Sequence, residues 1–272
     1  MSDPFAQIAA LPGVADAVLS ARSAVDRLLG HRILRRRGAE VSAESALRGA
    51  RASAALEGRP FALEDVRAGG VDDPVMQGAL RVSAEVGALA DTWRRAPRQV
   101  LARLHTLAAA DMVGAARLGR PRAADQRLGA AGDLHPASED VLDLGPAPAP
   151  AEVTARLDAL LELILGDTEA PAIVVGAIVH GELMALRPFG TCDGLVARAA
   201  QRATIVARGL DPKSLVAPEV GHAELEDAYA AALRGYVAGT PAGVAGWVRH
   251  CAEAVSVAAR DSLAFCEALQ RG

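Results

Sequence analysis

The sequence predicts a mainly α-helical fold, on three observations. Alanine and leucine recur at helical spacing along most of the chain, with glycine and proline as punctuation. Val153, Leu157, Leu160, Leu161 and Ile164 fall on one face at the helical period. The run 172–187, AIVVGAIVHGELMALR, has β-branched residues that suit a strand, but its length without a turn signal favours a buried helix.

In chain order, 44–56 reads as a helix that ends at Glu57, with Gly58 past the end and Pro60 beyond. Residues 104–110 read as helix. The stretch 118–136, LGRPRAADQRLGAAGDLHP, has no period and many turn formers, and reads as a long surface loop of the kind that often carries function. Residues 145–150 form a stiff Pro-rich connector that delivers Glu152 into the helix of 153–164. Helix 172–187 is followed by a turn-forming loop, 188–194, and then by a helix over 195–209 that a glycine closes. Helix, Gly-rich loop, helix is therefore the expected core unit.

The 272 residues are 51% hydrophobic and 23% charged, with a formal charge of −4, an ordinary globular composition. Aromatics make up only 3%, which leaves little with which to build a base-stacking surface, so nucleic acid is not an expected partner. No apolar run reaches the ~18 residues of a membrane helix, and the start lacks a signal-peptide pattern. A cytoplasmic protein without a membrane partner is expected. The three cysteines, Cys192, Cys251 and Cys266, are unclustered, which argues against a disulfide framework. Six histidines show neither HxxxH nor HExxH spacing and no CxxC accompanies them, so no metal site is expected. Arg35, Arg36 and Arg37, with Arg32 nearby, read as a solvated face at a helix end where cations suit the dipole, in preference to a phosphate patch.

The loop with Gly190, Asp193 and Gly194 runs into a helix start, where unpaired backbone N–H groups bind anions. Asp193 or Thr191 reads equally well as a plain N-cap. Arg198, in about the first turn, is a cation at the positive end of its helix, whereas Glu57 faces the negative end of its own. Each is misplaced by ~0.3–1 kcal/mol, and they either pair with one another or point into water.

At these residues the sequence resembles the Fic (Fido) family of protein-modifying enzymes. That family's signature reads H-P-F-x-(D/E)-G-N-G-R-x-x-R, and 187–198, RPFGTCDGLVAR, has the same length and register, agreeing at Pro188, Phe189, Gly194 and Arg198. Residues 53–58, SAALEG, match the family's inhibitory motif (S/T)-x-x-x-E-(G/N) at Ser53, Glu57 and Gly58, in the expected order before the core. Leu104-His105, the Gly-x-x-Arg of Gly119 and Arg122, the helix near 150–165 and Trp247 extend the likeness over most of the chain, with residues 1–40 the least constrained. The resemblance implies a Fic-like helical fold, with a core over 96–272 and an N-terminal helical segment over 1–95 that carries the inhibitory-type helix. It favours Glu57 and Arg198 as an ion pair, and Gly190, Asp193, Gly194 and Arg198 as the nucleotide- or anion-binding set.

The departures from the signature decide the functional expectation. Arg187 stands where the family has its catalytic histidine, and a guanidinium cannot take a proton from a hydroxyl near neutral pH. Thr191 replaces the acidic residue that holds Mg²⁺, and a neutral hydroxyl is a poor substitute for it. Cys192 replaces a glycine, Asp193 an asparagine, and Leu195 the first phosphate-binding arginine. His180, seven residues before Arg187, lies ~10 Å away along a helix, too far to serve as a displaced base, and reads as a core histidine. Cys192 reads as a small packing residue in preference to a reactive thiol. The expected function is that of a pseudoenzyme: an adenylyltransferase-like fold acting as a regulatory or binding module, with no cofactor. The alternative is an active nucleotidyl- or phospho-transferase that uses ATP and Mg²⁺ to modify a protein hydroxyl by altered chemistry. A protein partner and a homodimer, since family members commonly self-associate, stand beside both.

Overall fold

The computed structural model describes residues 3–122 and 142–271, and the 123–136 part of the expected surface loop lies outside them. Among the described residues there are twelve helices and no strand: α1 (Pro4–Ala9), α2 (Val14–Leu29), α3 (Leu34–Leu56), α4 (Leu63–Arg67), α5 (Pro74–Trp93), α6 (Pro97–Ala108), α7 (Pro150–Leu165), α8 (Ala172–Leu186), α9 (Asp193–Ala207), α10 (Pro218–Glu224), α11 (Glu226–Val237) and α12 (Pro241–Arg271). The mainly α fold holds, and the β-branched run 172–179 is helix.

Two helices make the centre. In α8 every residue from Ile173 to Leu186 except Glu182 is buried, which is the burial that an all-round apolar helix requires. All of α9 is buried as well. They pack on each other, α5 and α3 cover α9, and α2, α10 and α11 pack along α12. Removing each large aliphatic side chain from water contributes ~1.5–3 kcal/mol, so this pair is a firm base for the loop that joins its ends. Trp247 ties α12 to α8 by donating from Nε1 to the Ala177 carbonyl at 2.7 Å. At Gly221 a Cβ atom would lie 1.9 Å from the Ala254 carbonyl oxygen, so α10 reaches α12 only because that side chain is absent.

Sequence details fix the ends that matter. Helix α3 is longer than the segment read from sequence and kinks at Arg37, but it ends as expected, with Glu57 as C-cap and Gly58 at φ 73°. Asp73 caps α5 by accepting from the Val75 and Met76 N–H groups at 3.0 Å each, and it also accepts from Arg59 Nε at 2.9 Å. The segment leaving α3 is thereby pinned to the start of α5. The arginine run needs a correction. Arg35 and Arg36 are exposed as expected, but they occupy the first turn of α3, the end where its dipole does not favour cations. Arg37 finds its compensation in Glu40, at 2.6 Å.

Candidate functional site

The site is the loop between α8 and α9 together with the end of α3. The backbone turns out of α8 at Arg187, which has φ 46°, and enters α9 through Cys192, which has φ 57°. Both are left-handed conformations that cost a non-glycine residue free energy unless the surroundings impose them. Here the surroundings are specific. Arg122 is buried and holds the loop's first carbonyls: its Nε donates to the Arg187 oxygen at 3.0 Å, its Nη2 to the Leu186 oxygen at 3.4 Å and to the Pro148 oxygen, and its backbone N–H to the Pro188 oxygen at 2.8 Å. A cation at this place also suits the C-terminal end of the α8 dipole. On the other side the His105 ring stacks on Phe189, with centroids 4.2 Å apart and planes 6° from parallel, and Nδ1 of His105 accepts from the Gly119 N–H at 3.0 Å. Burial and the nearby Arg117 charge lower the His105 pKa to about 4, so the ring is neutral.

Asp193 closes the loop on itself. Its Oδ1 accepts from the Phe189 N–H at 2.9 Å and its Oδ2 from the Gly190 N–H at 2.8 Å. Sequence reasoning offered Asp193 or Thr191 as the N-cap of α9. Instead Cys192 is the N-cap, without a side-chain cap bond, and Asp193 is the first helical residue and reaches backward into the loop. Burial raises its pKa to about 7; the two backbone hydrogen bonds and Arg187 work against that rise, and Glu57 adds to it.

The second carboxylate arrives from α3. Glu57 Oε1 accepts from Arg198 Nη2 at 2.5 Å, and both side chains are buried. Ser53 completes the clamp, its Oγ accepting from Arg198 Nε at 2.8 Å and its carbonyl from Nη2 at 3.1 Å. The pair that the resemblance favoured, and that helix-end charges left open, is formed, with one correction: Arg198 is the sixth residue of α9 and so belongs to its second turn. Gly194 makes room for the pair, because a Cβ there would lie 2.0 Å from Glu57 Oε1. Glu57 thus lies against the first turn of α9, where the helix dipole is positive and an anion is stabilised.

The remaining loop positions offer little to a nucleotide. Leu195 is buried and apolar. The Thr191 hydroxyl is buried with no hydrogen-bond partner among the described residues. The Cys192 sulfur sits 3.9 Å from the Met112 sulfur, and burial together with Glu57 and Asp193 pushes its thiol up, the opposite of an activated nucleophile. Mg²⁺ demands hard oxygen ligands near octahedral geometry. Both Asp193 oxygens are engaged by backbone N–H groups and Thr191 is uncharged, so the residues present do not fit that ion. His180 is fully buried, as expected of a core histidine, and bonds Gln201 and Tyr229 rather than the loop.

Sequence spacing gave no metal cluster, yet the fold gathers His180, His222 and Cys251 from α8, α10 and α12, with one donor atom of each within 4.8 Å of the others. No motif announces this group. The signal that sequence reasoning passed over is His250-Cys251 beside Trp247 and Val248 on the buried face of a long helix, since buried polar groups must find partners.

The chain matches no protein-family model and no curated protein. Among solved structures it is similar to a Fic family protein from Desulfovibrio desulfuricans G20, with a TM-score of 0.69 and 19% identity over 92% of this chain and 74% of that one. It is similar also to a segment of Fic-1 from C. elegans, with a TM-score of 0.67 and 16% identity over 94% of this chain and 73% of that one. The likeness establishes an all-α, Fic-like fold.

Proposed function

We propose that this chain is a regulatory or binding module on a Fic-like fold, in which the loop that would cradle a phosphate is filled by the chain's own carboxylates and no AMP is transferred. The observation that carries the reading is the double occupancy: Asp193 takes the Phe189 and Gly190 N–H groups while Glu57 takes Arg198. An entering triphosphate would have to displace Glu57 and, above about pH 7 where Asp193 is ionised, bring several negative charges up to that carboxylate as well. Each like-charge contact near 4 Å costs ~1 kcal/mol in water and ~4 kcal/mol in a partly desolvated site. Arg187 adds a second obstacle, because it offers no base where the resemblance puts the catalytic histidine. Family-like features that hold the loop in shape are retained: Phe189 under His105, Arg122 on the carbonyls, and the Glu57–Arg198 pair.

Incubation with α-labelled ATP and Mg²⁺, alone and with lysate proteins, tests the reading. Neither the wild type nor Arg187→His is expected to transfer label, because Thr191, Cys192, Asp193 and Leu195 also depart from the family pattern. Label transferred by the wild type and lost in Arg187→Ala would overturn the reading, and strong transfer by Arg187→His would show that the loop is not closed by its carboxylates.

A further inference from the structure

We propose that His180, His222 and Cys251 form a buried binding site for a borderline-soft metal ion, of which Zn²⁺ is the type. The site lies outside the α8–α9 loop and stands independently of the function proposed above. Two features lead to it. First, donor type and proximity: two imidazoles and a thiol, each able to bring one donor atom within 4.8 Å of the other two, come from three separate helices and are fully buried. Imidazole and thiolate together select Zn²⁺ and its tetrahedral relatives over Mg²⁺ or Ca²⁺.

Second, the rings are oriented from outside. Gln201 Oε1 lies 2.8 Å from His180 Nδ1 and 2.9 Å from His222 Nε2, so one carbonyl oxygen accepts an N–H from each. That is the arrangement in which a metal-binding imidazole is held by an oxygen on its far nitrogen. It leaves a lone pair at Nε2 of His180 and at Nδ1 of His222. These now face the Tyr229 hydroxyl at 3.1 Å and His250 Nε2 at 3.0 Å.

Entry of a divalent ion expels the Cys251 proton to solvent and forms a metal–sulfur bond, with no redox change.

The test uses the whole 272-residue chain, reduced and stripped of metal, titrated with Co²⁺ and then Zn²⁺. One Co²⁺ per chain is expected, with a thiolate-to-cobalt charge-transfer band that Zn²⁺ abolishes, and Zn²⁺ should raise the thermal midpoint of the wild type. Cys251→Ser should lose the band, while the Cys192→Ser/Cys266→Ser double variant keeps it. His222→Gln should weaken Co²⁺ binding by at least tenfold. Absence of both the band and the thermal shift in the wild type overturns the proposal without reference to any variant, and leaves the cluster a closed hydrogen-bond network. A band that survives Cys251→Ser overturns it too.

Discussion

Replacing Gly194 with alanine puts a methyl group where Glu57 already sits: an ideal Cβ lies 2.0 Å from Glu57 Oε1 and 3.0 Å from both Nη1 and Nη2 of Arg198. Ordinary contact distances are well beyond 3 Å, so the carboxylate has to retreat and give up its 2.5 Å bond to Arg198. Breaking a buried pair while one charge stays buried costs ~3–5 kcal/mol. Alanine at a helical position returns ~0.5–1 kcal/mol relative to glycine. The net loss is about 2–4 kcal/mol, on the order of 10 °C in Tm for a chain of this size. In a Glu57→Ala background the nearest remaining contacts of the methyl are with the far end of Arg198, which can shift, and the sign reverses: Gly194→Ala becomes neutral or stabilising by up to ~1 kcal/mol. Thermal or urea unfolding of the four proteins of this cycle at one pH gives the coupling between the two sites. If Gly194→Ala costs as much without Glu57 as with it, Glu57 does not occupy the first turn of α9 and the reasoning fails.

Asp193 makes stability depend on pH. Its pKa is raised in the fold to about 7 from 3.8; a raised group stabilises below its unfolded value and loses that contribution as pH climbs through the folded one. Against Asp193→Asn, which does not titrate, the wild type should therefore lose roughly 2–3 kcal/mol between pH 5 and pH 8. Melting curves of both proteins across that range read the change directly, and a pH-independent gap would contradict the assigned burial of the carboxyl. Gly221→Ala drives a methyl into the Ala254 carbonyl at 1.9 Å and should cost ~1–3 kcal/mol or more. A Tm within a degree of wild type would mean that α10 does not pack on α12 as described.

Much of this site was legible because its parts sit at helix ends, where local rules are strong. Gly58 and Pro60 stop α3, which leaves Glu57 at a negative dipole end while Arg198 lies near a positive one; charge alone left them free to pair or to point into water, and it was the resemblance at 53–58 and 187–198 that favoured the pair. Length without a turn signal favoured helix for α8 over the strand propensity of its β-branched residues, and helix is what forms. What the sequence did not reveal is tertiary. Whether Asp193 caps its own helix or turns back to Phe189 and Gly190 depends on how Arg122 and His105 hold the loop, and those residues are distant in the chain. Left-handed backbone at Cys192 has no local signature, since cysteine is not a residue that favours it. Likewise, His180, His222 and Cys251 lie on separate helices with no motif spacing, so only packing brings them together.

The measurement that tests the closed loop most directly is calorimetric titration of the wild-type protein with ATP and Mg²⁺, beside the Glu57→Gly/Asp193→Asn variant. With Asp193 on the loop N–H groups and Glu57 on Arg198, the wild type should bind no better than millimolar. The double variant, which frees Arg198 and removes the repelling carboxylate, should bind more tightly. A micromolar Kd for ATP in the wild type would contradict the account and turn the reading toward an active, nucleotide-using enzyme.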